Sequence, residues 1–244
     1  MRQSRSKGRK ILYDFSEELL RLAHMPTQIT SVRIFEILRQ AIVQMHILPG
    51  YVLSEGDIAK KFSVSRQPVR EAFIKLADVG LVEVRRRKGT FVRLISMKEV
   101  DDARFLREVI EAELVRAAAR LSKPEDIVNL RSVLSQQQEL GQKNNYIQFF
   151  LCDEKFHKLL ACIADRESAW PIIRNLKACV DRTCFLTLPS SEANQTIIRH
   201  HEDIITAIEN HDPDQAETAM CCHLEEIQHF LPLLRKEHPD FFTD

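Results

Sequence analysis

Val64-Ser65-Arg66-Gln67-Pro68-Val69-Arg70-Glu71-Ala72 is the stretch that decides the fold. Ser65 is a residue type that N-caps helices, and Pro68 falls in the first turn, where a missing N–H costs little. A helix therefore starts here. Val69, Ala72, Phe73, Leu76 and Val79 then recur at spacings of three and four as one apolar stripe, leaving Arg66, Gln67, Arg70 and Lys75 largely off it as a basic edge.

Working outward, Leu53 to Phe62 reads as a second short helix capped by Ser54, with Ile58, Ala59 and Phe62 inward. Two short helices joined by a tight turn form a helix-turn-helix, whose second helix enters the DNA major groove. Downstream, Leu81–Arg85 and Thr90–Arg93 flank Arg86-Arg87-Lys88-Gly89, a β-hairpin with a basic tip, a wing suited to phosphates and a minor groove. Upstream, Val32, Ile34, Phe35, Leu38, Ile42 and Val43 predict a supporting helix stopped by Pro49 and Gly50.

Charge divides in the same way. Between residues 1–97 and 98–244, Lys plus Arg split 18 to 17 and Asp plus Glu 9 to 26, so a +9 unit precedes a −9 unit. A cationic unit suits a polyanion partner and an anionic one is repelled by it. No apolar run reaches the 18 or so residues of a membrane span, and the start MRQSRSKGRK has no apolar signal core, which predicts a cytoplasmic protein without a membrane partner. Cys152, Cys162, Cys179, Cys184, Cys221 and Cys222 make no C-x-x-C pair and read as small buried thiols.

The remaining pattern is helical. Ser96 can cap a long helix through Met97, Val100, Ala103, Leu106, Val109, Ile110, Leu114, Ala117 and Leu121, and Ser122-Lys123-Pro124-Glu125 reads as a capping box for the next. Further helical patterns span about 143–164, 167–188, 191–210 and 212–236, with no strand signal after residue 95. The expectation is a mainly α protein. Residues 1–26 hold a basic arm and a short helix, 27–95 a winged helix-turn-helix with a small hairpin wing, 96–236 an all-α bundle of about six helices, and 237–244 a tail.

Ile47-Leu48-Pro49-Gly50, Leu53-Ser54-Glu55, Ile58-Ala59, Val64–Ala72, Leu76, Gly80-Leu81-Val82 and Gly89-Thr90-Phe91-Val92 together resemble the winged-helix signature of GntR-family transcription regulators. With an all-helical C-terminal unit the chain is similar to the FadR subfamily, whose bundle senses ligands. The resemblance implies a regulator, a repressor rather than an enzyme, that binds operator DNA as a homodimer. Arg66 and Arg70 would enter the major groove, Ser65, Gln67 and Lys88 would position the phosphate backbone, and Gly89 would let the wing approach closely. Gly56 stands where some relatives carry a DNA-contacting arginine, so their operator preference does not transfer.

Inside the bundle, Asp153 and His157 are four residues apart and share a helix face, as metal ligands do. His201, with His200 as its rival, and His223 stand on two further helices, and periodicity alone does not bring the four together. Metal-bearing members of the subfamily share an Asp-x-x-x-His helix, a His before Ile-x-x-Ala-Ile and a His in Met-x-x-His-Leu. Asp153, His157, His201 and His223 resemble those positions. Such a set implies Zn²⁺ or Ni²⁺ with open positions for a small anionic effector, a sugar acid or other carboxylate. Arg107 resembles the family's first-helix arginine and would grip that carboxylate, unless a salt bridge with Glu111 holds it. Relatives' Ser-Gly-Asn is here Ala164-Asp165-Arg166. A metal-free acyl-CoA sensor and a metal-dependent hydrolase with a DNA-binding appendage are the alternatives, but Glu154 and Glu202 have no spacing that makes either a catalytic base.

Overall fold

The computed structural model describes residues 30–244, so the basic arm, the short helix at 11–24 and the start near Thr27 lie outside the described residues. Helix α1 (Ser31–Val43) is capped by Thr30, whose hydroxyl accepts from the Arg33 N–H at 3.3 Å. Strand β1 (Val52–Leu53) precedes α2 (Glu55–Lys61), and α3 (Arg66–Asp78) follows a turn in which Ser63 takes a positive φ of 55°. Strands β2 (Val82–Arg85) and β3 (Gly89–Val92) make the hairpin, and β1 adds to it antiparallel, giving the order β1-β3-β2. The wing is therefore three-stranded, because Leu53 pairs with Thr90 instead of beginning the helix.

The stripes of the three helices meet. Ile34, Ile37, Leu38, Ile42, Ile58, Val69, Phe73 and Leu76 are buried in one core with Leu81 and Val92, whereas Val32, expected inside, is exposed. At the wing tip Arg87 adopts a φ of 61° and Gly89 one of 109°, the latter open only to glycine at little cost.

After β3 the chain forms β4 (Ile95–Ser96) and then six helices: α4 (Met97–Leu121), α5 (Pro124–Gln142), α6 (Tyr146–Ile163), α7 (Ala169–Thr187), α8 (Ser191–Glu209) and α9 (Pro213–Glu237). The box expected at Ser122 is shifted by one residue. Ser122 ends α4, and Asp126 accepts from the Lys123 N–H at 2.9 Å. The expected tail is structured as a 3₁₀ turn, Pro239–Phe241, and strand β5 (Phe242–Thr243), which pairs parallel with β4. Phe242 anchors it in a core with Ile95, Val100, Ile227 and Leu231. A two-residue strand carries too few side chains to show a period, which is why no pattern announced it.

Helix α4 departs most from expectation. Its buried face is Val100, Ala103, Arg107, Glu111, Leu114, Val115 and Ala118, while Phe105 and Val109 are 58% and 59% exposed and Leu106 is exposed beside them. An ion pair has taken the inward face, and apolar side chains look outward. Of the cysteines only Cys152 is fully buried; Cys222 is exposed and the other four are half-buried.

Helix α7 is the seam between the two parts. Ala178 is fully buried and belongs to the core of α1 and α3. Beside it the Arg39 guanidinium of α1, 2% exposed, donates to Asp181 Oδ2 and to the Arg174 carbonyl, both at 3.3 Å. Arg174 pairs with Glu36, and Arg182 donates to the Arg93 carbonyl at 2.6 Å. Burial lowers the Arg182 pKa to about 10. The link between head and bundle is thus pinned along its length by charged groups of one helix.

Candidate metal centre and nucleic-acid interface

Three helices carry the inner site. Asp153 and His157 project from one face of α6, His201 comes from the buried side of α8, and His223 from α9. One ligand-type atom from each falls within 4.8 Å of all the others. His157 Nε2 lies 3.2 Å from His223 Nε2 and 3.8 Å from Asp153 Oδ1, and His201 Nε2 lies 3.5 Å from the same oxygen. Bonds of 2.0–2.1 Å to a tetrahedral ion place ligand atoms about 3.3 Å apart. The separations given, 3.2 to 3.8 Å, lie close to this, and the widest in the set, up to 4.8 Å, would have to shorten around an ion. His200, the rival, is the ring whose neighbour His223 lies edge-on at 6.1 Å, and it is outside the set.

The imidazoles are prepared as lone-pair donors. His201 Nδ1 bonds Gln137 Oε1 at 2.8 Å, which fixes the proton on Nδ1 and leaves the buried Nε2 without a hydrogen-bond partner. His157 Nδ1 bonds Glu111 Oε2 at 2.5 Å, which fixes the proton there, while its Nε2 meets His223 Nε2 at 3.2 Å. A second group that fixes the tautomer is what a metal-bound histidine requires. Burial pushes His201 down to about 3 and His223 well below its ordinary value, so both rings are neutral near pH 7. Phe156 stacks on His201 at 3.9 Å and holds the ring plane. The donor set fits a borderline divalent ion, which would supply positive charge and open coordination positions.

Three charged groups surround it, two of them, Lys177 and Asp181, without a signal in the sequence and the third, Glu111, read there only as a partner of Arg107. Lys177, 2% exposed, donates to Asp153 Oδ2 at 3.1 Å and lies 3.4 Å from Asp181 Oδ1. Burial opposes its charge, but Asp153 and Asp181 raise its pKa overall. Asp153 is likewise opposed by burial and held low by Lys177 and the imidazoles. Asp181 is the second of the three groups. Glu111, the third, is penalised by burial yet held at about 2 by Arg107 and His157. Arg107 donates to Glu111 Oε1 at 2.7 Å, so the salt-bridge reading of Arg107 describes this structure, and its guanidinium also borders the cavity. The ion pairs run without a gap from Asp153 through Lys177 and Asp181 to Arg39 in the head. Asp165 and Arg166, which replace the relatives' motif, are exposed and do not border this cavity.

At the other end of the molecule Ser65, Arg66, Gln67, Arg70, Lys88 and Gly89 are all exposed. Ser65 occupies the N-cap position, but its hydroxyl makes no cap hydrogen bond. Arg70 donates twice to the Glu55 carboxylate, at 3.0 and 3.1 Å, and Gln67 donates to Glu71 at 3.1 Å. The Arg66 guanidinium lies over Gly56, where a Cβ would sit 3.4 Å from Nη2. Arg66 thus lies over the place of the side chain that Gly56 lacks. The basic edge of α3 and the basic tip of the wing are both solvent-facing, as contact with a groove and its phosphates requires.

A winged head of this kind on an all-helical bundle defines a DNA-binding transcription regulator. Residues 30–92 match the family of bacterial regulatory proteins, gntR family, and residues 102–226 match the FCD domain. The HTH-type transcriptional repressor RspR of Escherichia coli K12 is 40% identical over 219 residues, covering 90% of this chain and 96% of that one. A regulator from an unstable DNA locus of Streptomyces ambofaciens is 33% identical, over 84% and 86% of the two chains. Among solved structures, E. coli McbR/YncC superposes with a TM-score of 0.73 at 16% identity, covering 87% of this chain and all of that one, a likeness of fold. The chain belongs to the GntR family of transcription regulators and carries an FCD domain. Among the described residues no helix is long and apolar enough to cross a membrane.

Proposed function

We propose that the chain is a cytoplasmic transcription repressor of the FadR subfamily, a homodimer that holds Zn²⁺ or Ni²⁺ through Asp153, His157, His201 and His223. A small carboxylate at that ion controls its grip on operator DNA. The observation that carries this reading is the convergence of three imidazole nitrogens and one carboxylate oxygen within 4.8 Å, joined by an unbroken line of ion pairs to α1 of the head. The repressor sense is supported by the E. coli relative, an HTH-type transcriptional repressor.

Control passes through α7 and its neighbours. The cavity is bordered by Phe149, Phe150 and Leu188, which pack against Val43 at the end of α1. A ligand pressing on this wall while drawing Lys177 from Asp153 changes both the apolar and the ionic contact with the head. Two heads then shift relative to two half-sites. The second copy is supported by α4, whose Phe105, Leu106 and Val109 face solvent in the single chain, together with the exposed Ile172 on the adjoining α7. Such a patch marks a contact surface.

Metal analysis of protein made without a His tag tests the centre. About one equivalent per chain is expected, and a His157→Ala, His223→Ala double variant loses it; equal content in both would overturn the assignment. On the DNA side, Arg70→Ala is expected to lower operator affinity by about 1–3 kcal/mol, roughly ten- to hundredfold, with the bundle still folded. Gel-shift titration at fixed salt reads this directly, and unchanged affinity removes Arg70 from the contact surface.

A further inference from the structure

We propose that the cavity beside the metal centre takes a carboxylate with an apolar body, an aryl- or alkyl-alkanoate, and not a polyhydroxylated acid. This rests on the reading of that cavity as the effector site and narrows its ligand. The cleft opens to solvent, and its water-accessible space is about 60 Å³. Its charged and ligating groups are Arg107, Lys177, Asp153 and His223, which belong to the connected cluster already described, and Glu226, one carboxylate outside that cluster. Most of the remaining wall is apolar: Phe149, Phe150, Leu188, Ile197, Ile227 and Phe230.

Two arguments separate head from body. Arg107 pairs with Glu111, Lys177 with Asp153, and Arg39 with both Asp181 and Glu154, so a bound divalent ion still leaves net positive charge. An anionic head answers it. Beyond the head, every hydroxyl of a sugar acid would need a partner, because a buried hydroxyl left unpaired loses its hydration for nothing. Thr187 offers the neutral hydroxyl of this lining, and it already donates to the Cys184 carbonyl at 2.7 Å. Burial pushes the Cys184 thiol up to about 12, so it brings no charge to the wall. An alkyl chain or ring asks for no partner and gains from the contact.

Isothermal titration of the zinc-loaded full-length protein with acetate, hexanoate, 3-phenylpropanoate, gluconate and galacturonate tests this. Hexanoate and 3-phenylpropanoate are expected to bind at least tenfold tighter than either sugar acid. In Phe230→Ser their affinity is expected to fall at least fivefold, with that of acetate, which has a head alone, unchanged. Gluconate or galacturonate binding as tightly as 3-phenylpropanoate overturns the apolar-body assignment and leaves the carboxylate-sensor reading standing. Binding of none of the five, acetate included, overturns the sensor reading and this inference with it. An equal loss for acetate in Phe230→Ser also refutes the division into head and body.

Discussion

Replacing Asp181 with Ala is expected to destabilise the protein by about 3–5 kcal/mol, because it removes the carboxylate that two buried cations share and leaves Arg39 with only the longer contact to Glu154, at 3.7 Å. Asp181 is fully buried, with Oδ2 accepting from Arg39 and Oδ1 facing Lys177. Both cations are themselves about 2% exposed, so water does not take over when the carboxylate goes. For a chain of this size that loss corresponds to a melting temperature lower by roughly 6–20 °C. Asp181→Asn keeps one acceptor and should lose less. The double variant Arg39→Met, Asp181→Leu should recover part of the deficit, since Lys177 keeps Asp153 and the carboxylate released by the loss of Arg39, Glu154, is less deeply buried than Asp181. Denaturant titration of the four proteins decides the matter. An Ala variant within about 0.5 kcal/mol of wild type would mean that these charges are solvated and that Asp181 does not bind head to bundle.

That network shows where sequence reasoning ends. The head was legible because its devices are local: Ser54 does cap α2, accepting from the Asp57 N–H at 3.3 Å, and the stripe Val69, Ala72, Phe73 and Leu76 is fully inside. Motif spacing, with the resemblance, also reached the four metal candidates. What it missed are charged residues whose role depends on helices far apart in the chain. Lys177 meets Asp153 across 24 residues, His157 meets Glu111 across 46, and Arg39 meets Asp181 across 142. By composition each belongs on a solvated face, and a helical period counts it as outward. Helix α4 was misphased for the same reason. Its stripe was drawn through Leu106 and Val109, which are exposed, and passed over Arg107 and Glu111, which are buried. A rule that places apolar residues inside holds for a helix that serves a core. It fails for one that supports a polar site on one side and presents an apolar surface on the other.

Glu111 supplies the second large effect, and its two neighbours allow charge and tautomer to be separated. Its carboxylate, 2% exposed, takes a hydrogen bond from Arg107 Nε at 2.7 Å through one oxygen and holds His157 Nδ1 through the other. Glu111→Ala is expected to cost about 3–5 kcal/mol of stability by leaving Arg107 uncompensated in the interior. It should also weaken zinc binding about 10–100-fold, because nothing then keeps the His157 proton on Nδ1 and its Nε2 lone pair toward Asp153 and His223. Glu111→Gln should divide the two effects. The amide oxygen can still accept from His157 Nδ1–H, so zinc affinity stays near wild type, whereas Arg107 loses its countercharge and stability falls. Competition against a chromophoric chelator reads the first quantity and denaturant titration the second. Wild-type zinc affinity in Glu111→Ala would show that the orientation of His157 is set by packing against Phe156 and the neighbouring rings, not by the carboxylate.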